Sequence, residues 1–327
     1  MDNYKYGLAS FGNILYGNLC MGNVYYVYDS TSDNANDIQK RYGKVFYEDG
    51  SPMLNKHTST STTVTLNGFK SAEALCVNDR NDYIAVMPSS NNYYIDETLT
   101  LDKRATHLVC PPAMTNAVGC TNLCRLQQIG SAASIITITN GAIEVAGLYL
   151  KNISAYAHIT VPTTSTYSAW ALSIHNNYFV SKSSTTTLPM LDCNGDGASY
   201  SRIENNWFTE QVANGAWTAG VVDIERAATN VEVVGNYITI GNSGNATYGI
   251  RNASVKGVVA NNYFSECGTS TIGSCVTIDK TGAAIGNRCA VATGHFSDGS
   301  GTTGVSYADN MDGICDGAGA LTAQLET

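Results

Sequence analysis

The feature that most constrains the fold is a short motif that recurs along the chain at nearly even steps. Each copy has a glycine, asparagine or aspartate, then a second residue that is usually asparagine, and then usually an aromatic residue. Counted on the second position, the steps are 29, 29, 30, 26, 25 and 23 residues. Such regular spacing indicates an internal structural repeat. The copies are Gly147-Leu148, Asn176-Asn177, Asn205-Asn206, Gly235-Asn236, Asn261-Asn262, Gly286-Asn287 and the weaker Asp309-Asn310.

A period of this length fits one coil of three short strands and three turns. Runs such as 171–174, 221–224 and 276–278 alternate apolar and polar residues, which places one face in a core and the other in solvent. One coil cannot bury its apolar face alone, so coils must stack. A leucine-rich repeat is rejected because valine and isoleucine dominate and no helical segment lies between the motifs. The sequence therefore predicts an all-β, right-handed parallel β-helix over residues 67–316.

The repeated asparagine has a structural explanation. A tight corner needs a residue that tolerates the left-handed backbone region, and asparagine does so better than most residues. Its amide can also bond the backbone of the turn and the same amide one coil away. We therefore predict a ladder of stacked asparagines along one edge. Its predicted members are Asn177, Asn206, Asn236, Asn262, Asn287 and Asn310.

The two ends of the chain differ from the repeat. Phe69, Ala72, Leu75 and Cys76 share one helical face, which predicts a short helix that caps the exposed N-terminal end of the solenoid. Residues 1–66 lack the repeat and are predicted to form an attachment or oligomer-contact region. Residues 317–327 are predicted to be a short C-terminal tail.

Composition and charge exclude several classes of function. Lysine and arginine number 18 against 27 acidic residues, and no basic cluster is visible, so nucleic-acid binding is excluded. No apolar run reaches the ~20 residues that cross a bilayer, so no membrane insertion is expected. The N-terminus lacks the basic and apolar regions of a signal peptide, so we expect a protein that is made and kept in the cytosol, or assembled there into something released by lysis.

The ten cysteines do not indicate a metal site, since none forms a Cys-x-x-Cys pair and Cys120 and Cys124 have no matching histidines. Without a secretion signal, most are predicted to be reduced and to act as small buried apolar residues. Pairing of Cys267 with Cys275, or among Cys110, Cys120 and Cys124, stays open.

The strongest candidate for catalysis is the acid pair Asp223 and Glu225. On a strand their side chains point to the same outward face roughly 7 Å apart, a separation that suits an inverting glycosidase. A surface salt-bridge ladder is the alternative. Aligning coils by their inward isoleucine or leucine places Asp192, Glu225, Arg251 and Asp279 in one column, with the arginine among acids.

A second candidate site resembles a calcium loop. Asp192, Asn194 and Asp196 match the opening D-x-N-x-D-G pattern and are the candidate calcium ligands. However, Glu204 lies one residue beyond the twelfth position, where the loop needs its carboxylate. A turn rich in aspartate, asparagine and glycine accounts for the pattern without metal. No other cofactor is expected.

Histidine and tryptophan give weaker indications. The five histidines are scattered, no triad can be proposed from their spacing, and His175 is predicted to be a turn residue beside the asparagine corner. Trp170, Trp207 and Trp217 could stack on sugars if exposed. Because Trp207 follows a ladder asparagine, it is predicted to point inward.

The cap helix, the first coil over 83–108 and the Asn-Asn-aromatic-Phe repeats, together covering about 69–310, resemble the pectate-lyase-like right-handed β-helix group. Within it, the chain looks most like phage structural proteins, namely tailspikes and head spikes or decoration proteins. The resemblance implies a homotrimer on a virion surface. It also implies contacts with other virion proteins, such as the major capsid or tail protein, and for a glycan-binding spike with a host surface glycan.

The same solenoid carries enzymes and inert spikes, so the resemblance indicates fold more strongly than function. The leading prediction is a virion spike or decoration protein without catalysis. One alternative is a tailspike depolymerase, either a glycosidase or a lyase, that cleaves a host surface polysaccharide. Another is a carbohydrate-binding adhesin that does not cleave its ligand.

Overall fold

The computed structural model shows the predicted parallel β-solenoid, with three short strands per coil and one short helix near the N-terminus. It describes residues 22–29, 54–55, 67–88, 92–95, 97–110, 124–128, 134–153, 155–162, 169–181, 188–193, 196–210, 220–225, 228–240, 245–266, 271–272, 274–278, 281–290, 295–298 and 305–312.

Successive strands of the solenoid enter three parallel sheets in turn. Sheet 1 contains, in spatial order, β2 (Leu54–Asn55), β1 (Val24–Asp29), β3 (Asp82–Val86), β6 (Thr106–Val109), β9 (Glu144–Ala146), β12 (Ser173–His175), β15 (Arg202–Glu204), β18 (Glu232–Val234), β22 (Gly257–Ala260), β26 (Gly282–Ile285) and β29 (Val305–Ala308). Sheet 2 contains β4 (Tyr93–Ile95), β7 (Arg125–Gln128), β10 (Tyr149–Asn152), β13 (Tyr178–Ser181), β16 (Trp207–Glu210), β19 (Tyr237–Ile240), β23 (Tyr263–Glu266), β27 (Arg288–Ala290) and β30 (Met311–Asp312).

Sheet 3 follows sheet 2 in each coil. It contains β5 (Leu99–Leu101), β8 (Ile136–Ile138), β11 (Ile159–Val161), β14 (Leu191–Cys193), β17 (Val222–Ile224), β21 (Ile250–Asn252), β25 (Ser274–Ile278) and β28 (His295–Asp298). Two short strands, β20 (Asn245–Ala246) and β24 (Thr271–Ile272), pair with each other, and a 3-10 turn spans Asp196–Ala198.

The core is a stack of aligned side chains, because every strand pairs in parallel with the same strand of the next coil. In sheet 2, Phe179, Phe208 and Phe264 are fully buried in one column. The rings of Phe179 and Phe208 stack with centroids 4.5 Å apart. Side chains alternate along each strand, so every second residue points into the core, as the sequence pattern predicts.

The predicted capping helix is confirmed as α1 (Asn67–Leu75). Phe69, Ala72 and Cys76 are buried, and Leu75 packs against the core. The helix contacts β1 and β3, so it covers the end of the apolar column. Strands β1 and β2 come from the segment 1–66 and extend sheet 1 beyond β3.

Left-handed residues recur at two corners of the described coils. At the corner between sheets 1 and 2 they are Gly147, Asn176, Asn205, Gly235, Asn261, Gly286 and Asp309. At the corner between sheets 3 and 1 they are Ala105, Ala142, Ala171, Tyr200, Asn230 and Lys256, and Asp79 takes the equivalent position between α1 and β3. The second set stacks by backbone hydrogen bonds from coil to coil, for example from the amide of Ala171 to the carbonyl of Ser199 at 2.8 Å.

One disulfide joins Cys110, at the end of β6, to Cys124, just before β7, with Cα atoms 6.1 Å apart. This is one of the pairings that the sequence left open. Cys275 is buried. Its predicted partner Cys267 lies outside the described residues, so that pairing stays a prediction. Cys76, Cys193 and Cys289 are free and buried, as predicted for small apolar residues.

Candidate functional site

The asparagine ladder is continuous over all six predicted positions. Each side chain donates from Nδ2 to Oδ1 of the next asparagine at 2.9–3.1 Å, and the same Oδ1 accepts the backbone amide of the preceding ladder residue. Each Nδ2 also donates to a strand carbonyl of sheet 1, such as Ile174 for Asn206 at 2.9 Å. The ladder begins at Leu148, which has no side-chain amide and contributes only its backbone N–H. That N–H donates to Asn177 Oδ1.

The left-handed residue of the corner is not the one that the sequence predicts. We expected the ladder asparagine itself to occupy the left-handed region, but the residue before it does, as at Asn205 and Gly235. The two positions of the motif therefore have separate tasks. The first bends the backbone, and the second supplies the buried amide, so neither task involves chemistry on a ligand.

The predicted acid pair lies in a charged cluster on the outer face of sheet 3, which we call the Asp223 cluster (Asp192, Asp223, Glu225, Tyr248 and Arg251). Asp223 is only 6% exposed. Arg251 donates from Nε to Asp223 Oδ1 at 2.7 Å and from Nη2 to Glu225 Oε1 at 3.0 Å. Tyr248 donates its hydroxyl to Asp223 Oδ2 at 2.6 Å. The arginine thus joins the two acids that sequence analysis selected.

The column of charges differs from the predicted one. Strand pairing aligns Asp192, Asp223, Arg251 and Thr277, so Glu225 lies just beyond the end of β17 and outside the column. The predicted column contains Glu225 where the structure has Asp223, two residues earlier. Val222 and Ile224 are both buried, so either could have been taken as the inward residue by which the coils were aligned. A two-residue slip keeps every side chain on its own face, so alternation alone could not detect it. The predicted member Asp279 lies outside the described residues.

The chemistry of the cluster favours a fixed ion pair. Burial raises the pKa of Asp223 above its usual range, although the hydrogen bonds from Tyr248 and Arg251 act in the opposite direction. Burial and the neighbouring Asp223 carboxylate raise the pKa of Tyr248 well above its ordinary value. Both oxygens of Asp223 are occupied by donors, so a proton transfer to substrate would first have to break these bonds.

The calcium candidates are only partly described. Asp192 is buried in the middle of β14, in register with Thr160 and Asp223 of the neighbouring coils. Asp196 begins a 3-10 turn, and Asn194 lies outside the described residues. Among the residues whose positions the structure describes, no three histidine, cysteine or acidic side chains converge as metal ligands.

A second polar cluster, which the sequence did not predict, lies on the outer face of sheet 1. We call it the Glu144 cluster (Glu144, His107, His175, Asn81 and Tyr83). Nδ1 of His107 lies 2.6 Å from Glu144 Oε2 and its Nε2 lies 2.7 Å from Asn81 Oδ1, and the ring stacks on Tyr83 with centroids 4.2 Å apart. His175 donates from Nε2 to Glu144 Oε1 at 2.7 Å. One carboxylate therefore bridges histidines from the coils before and after it.

The bridge changes the acidity of Glu144. Burial alone would raise its pKa, but the hydrogen bonds and charges of His107 and His175 outweigh burial and lower it to about 2. A carboxyl with a lowered pKa in the folded state stabilises that state above its ordinary pKa of 4.5. The contribution is lost as the pH falls from 4.5 toward about 2.

Replacing Glu144 with glutamine is expected to lower the free energy of unfolding at pH 7 by roughly 3 kcal/mol, from the size of the pKa shift. The difference from wild type should shrink as the pH falls from 4.5 to about 2, where the wild-type carboxyl also takes up a proton. Urea unfolding across this range measures it. The half-exposed Glu232, changed to glutamine, is the control and should stay within about 0.5 kcal/mol of wild type. A Glu144→Gln effect that is equal at pH 7 and pH 2 would contradict the bridge.

Trp207 points outward, so its prediction as an inward residue was wrong. The fully buried neighbour in β16 is Phe208, while Trp207 is half-buried on the outer face. The motif places its aromatic residue directly after the ladder asparagine, and that position faces solvent. The inward position is the next one, because side chains alternate along the strand.

A row of half-buried aromatic rings consequently runs along the outside of sheet 2. Tyr149, Tyr178, Trp207, Tyr237 and Tyr263 follow one another in successive coils, with adjacent centroids 4.7–5.4 Å apart. Tyr237 and Tyr263 stack almost in parallel, at 16°. At this spacing the rings contact one another, so little of each ring is left open to a ligand. The row therefore stabilises the stacking of adjacent coils and is less suited to binding sugars.

Among the residues that the structure describes, the most exposed aromatic side chains lie at the corner between sheets 3 and 1. Trp170 is 44% exposed and Tyr200, one coil further on, is 64% exposed. The indole of Trp170 lies against Gly141, where a Cβ would be 3.1 Å from both Cδ1 and Nε1. Trp217, the remaining tryptophan, lies outside the described residues.

Comparisons of the chain with protein-family models, with curated proteins and with solved structures gave no match. Within the described part of the chain, no helix has the length and apolar character needed to cross a membrane.

Proposed function

We propose that the chain is a structural protein of a bacteriophage virion, a homotrimeric β-helical spike or decoration protein on the capsid or tail surface, which binds a host surface glycan without cleaving it. The resemblance of its repeats to phage spikes supports the virion assignment. The observation that carries glycan binding is the exposed pair of aromatic side chains, Trp170 and Tyr200, at one corner of the solenoid.

Trp170 has the properties of a platform that is fixed before a ligand arrives. Gly141 makes room for one side of the indole, while 44% of the residue stays exposed. The carbonyl of Trp170 accepts the amide of Ala142 at 2.8 Å, which anchors its backbone in the corner stack. An open indole face is the apolar surface on which the C–H face of a pyranose ring stacks, and a fixed ring loses little entropy on binding.

Tyr200 strengthens this interpretation because its backbone is unfavourable. Its φ is 59°, a conformation that costs a non-glycine residue about 1–2 kcal/mol. Glycine or asparagine would fill that position at lower cost, as Asn230 does in the next coil. A large exposed side chain held at such a position is an indication of function.

The surroundings of the two rings favour a neutral ligand. The same corner carries Ser199, Thr229 and Asn230 beside and beyond Tyr200, which are uncharged residues with hydrogen-bonding side chains. Hydroxyl and amide groups next to an aromatic surface match the hydroxyls and apolar faces of a hexose. A charged ligand would need a partner of opposite charge in contact with it.

The state of the Asp223 cluster supports binding without cleavage. The carboxylate of Asp223 is buried and held by Arg251 and Tyr248, so it is a poor general acid as it stands. A depolymerase remains the second candidate because burial raises the pKa of Asp223 and Asp192 lies in register one coil away. A raised pKa is what a catalytic acid needs.

The glycan proposal is tested with an array of bacterial surface polysaccharides that includes neutral and acidic members. Wild-type protein should bind a neutral member, and Trp170→Ala should weaken that binding at least about tenfold, a typical loss for an anchoring aromatic side chain. Tyr156→Ala, at 40% exposure on a different turn, is the matched control and should bind as wild type does. Equal binding by the Trp170 variant would refute the platform. Shortening of the bound glycan during incubation would favour the depolymerase.

The virion assignment is tested separately by cryo-electron microscopy of the intact particle. Copies arrayed on the capsid lattice or grouped at the tail would support it, and particles without the chain would refute it. The segment 1–66 is expected at the attachment point.

A further inference from the structure

Two tyrosines of the aromatic row on sheet 2 lie face to face. Tyr237 in β19 and Tyr263 in β23 are paired positions of neighbouring coils, and their ring centroids are 4.8 Å apart with an interplanar angle of 16°. Both side chains are half-buried on the outer face, so part of each ring contacts solvent. Strand pairing therefore holds two phenols next to each other where a small oxidant can reach them.

The surroundings leave both phenols free to react. Among the described residues, none makes a hydrogen bond with either hydroxyl. Tyr248 differs, since its hydroxyl donates to Asp223 at 2.6 Å. The next outward positions of the two strands hold Thr239 and Ser265, whose hydroxyls lie 3.2 Å apart. These small side chains leave room for the two rings to tilt toward each other.

We propose that Tyr237 and Tyr263 are an oxidative cross-linking site, at which a one-electron oxidant derived from a peroxide joins the two rings as dityrosine. Each phenol gives one electron to the oxidant and one proton to water. The two phenoxyl radicals form a carbon–carbon bond between their Cε atoms, and the hydrogen on each of these carbons moves to the phenol oxygen as the ring becomes aromatic again. With hydrogen peroxide as the final acceptor, the two electrons and two protons convert one peroxide into two waters.

The position of the pair favours coupling of the two radicals. Parallel strands in register hold equivalent atoms of adjacent coils about 4.8 Å apart, so rotation of the rings brings the Cε atoms together without moving the backbone. The next residue of the row is Arg288, which has no aromatic ring. Cys289, the free thiol of the same strand, is buried on the inner face of the sheet. A thiol there cannot contact the radicals and reduce them before they couple.

The other tyrosine pair of the row is less well arranged. The rings of Tyr149 and Tyr178 have centroids 5.2 Å apart and planes at 46°. Burial raises the pKa of Tyr149, and Tyr178 raises it further, although Arg125 acts in the opposite direction. A phenol that holds its proton more firmly is oxidised less readily. We therefore expect a lower yield of dityrosine from this pair than from Tyr237 and Tyr263.

The cross-link joins residues 26 apart in the sequence and fixes two coils to each other. A covalent link of this kind restricts the unfolded chain more than the folded one, as a disulfide does in the chain-entropy model. After equal oxidation, wild-type protein should therefore unfold at a higher urea concentration than Tyr263→Phe, and equal midpoints would refute the link between coils. This inference is independent of glycan binding and of location on a virion.

The test oxidises the full chain with tris(bipyridine)ruthenium, persulfate and visible light, followed by reduction, alkylation and trypsin digestion of monomer isolated from a denaturing gel. Cleavage after lysine and arginine places Tyr237 in peptide 227–251 and Tyr263 in peptide 257–280. The two peptides should be recovered as one joined species, lighter than their sum by two hydrogen atoms. Fragment spectra distinguish Tyr237 from Tyr248, which lies in the same peptide.

The controls separate this site from random oxidation. Tyr263→Phe keeps a stacked ring but has no phenol, so the joined species should disappear. Tyr156→Phe, at 40% exposure on a different turn, is the matched control and should give the wild-type yield. Wild-type protein that is unfolded in urea before oxidation should lose most of the joined species. Its absence from folded protein, an equal yield from unfolded protein, or an equal or higher yield for Tyr149 with Tyr178 overturns the proposal.

Discussion

Replacing Asn206 with alanine is expected to lower the free energy of unfolding by about 4 kcal/mol. The change leaves several buried polar groups without a hydrogen-bond partner, at a cost of about 1–3 kcal/mol each, and these costs do not add fully because the groups are neighbours. Asn206 accepts from the amide and side chain of Asn177, and it donates to Ile174 and Asn236. All of these groups are buried, so water cannot replace the lost partner. Urea unfolding followed by circular dichroism measures the loss.

The control is the residue directly before it in the chain. Asn205 is exposed, has a φ of 53° and is not a ladder member, so Asn205→Gly should change stability by less than about 1 kcal/mol. The two changes affect adjacent residues of the same type, which removes differences in composition and location. If both variants lost the same stability, the division of tasks within the motif would be refuted.

Replacing Phe208 with alanine is expected to cost about 3–5 kcal/mol, the range for large-to-small changes in a packed core. Phe208 is fully buried, and its ring stacks on Phe179 in the preceding coil. The aligned column leaves few side chains free to move into the cavity, since each coil is held by its neighbours. Thermal and urea unfolding would both record the loss.

Trp207→Ala is the matched control for this change. Trp207 is larger than Phe208 but half-buried on the outer face, so its loss should cost about 1–2 kcal/mol, in proportion to the apolar area that it removes from water. The order of the two effects tests the register of β16 directly. A larger loss for Trp207 would mean that the strand faces the other way and that the tryptophan belongs to the core.

Much of this architecture follows from the spacing of one motif. Steps of 23 to 30 residues admit three strands per coil, and the recurrence of asparagine at the second position predicts which side chains stack. The helix at Asn67–Leu75 was also predictable, because apolar residues on one helical face before the first strand are what an open solenoid end needs. Both predictions depend on local periodicity, which is written in the sequence.

Register within sheet 3 was not predictable in the same way. Asp223 and Glu225 both fit an outward position of a strand with period two, and only the pairing with Asp192 and Arg251 distinguishes them. The prediction for Trp207 failed for a related reason. The motif shows that an aromatic residue follows the corner, but the side on which the strand leaves the corner is decided by packing between coils.

The sequence alone therefore determined the solenoid, its repeat and its asparagine ladder, since each depends on residues a fixed step apart. Tertiary structure alone decided the Glu144 cluster, because His107 lies 37 residues before Glu144 in a coil that lacks the motif. It also decided the second left-handed corner, where Ala171 and Tyr200 carry no turn signal. Hydrogen bonds between stacked coils hold these residues in an unfavourable backbone conformation. The stabilisation from these bonds exists only when the coils are stacked, so the sequence of one coil does not predict the conformation.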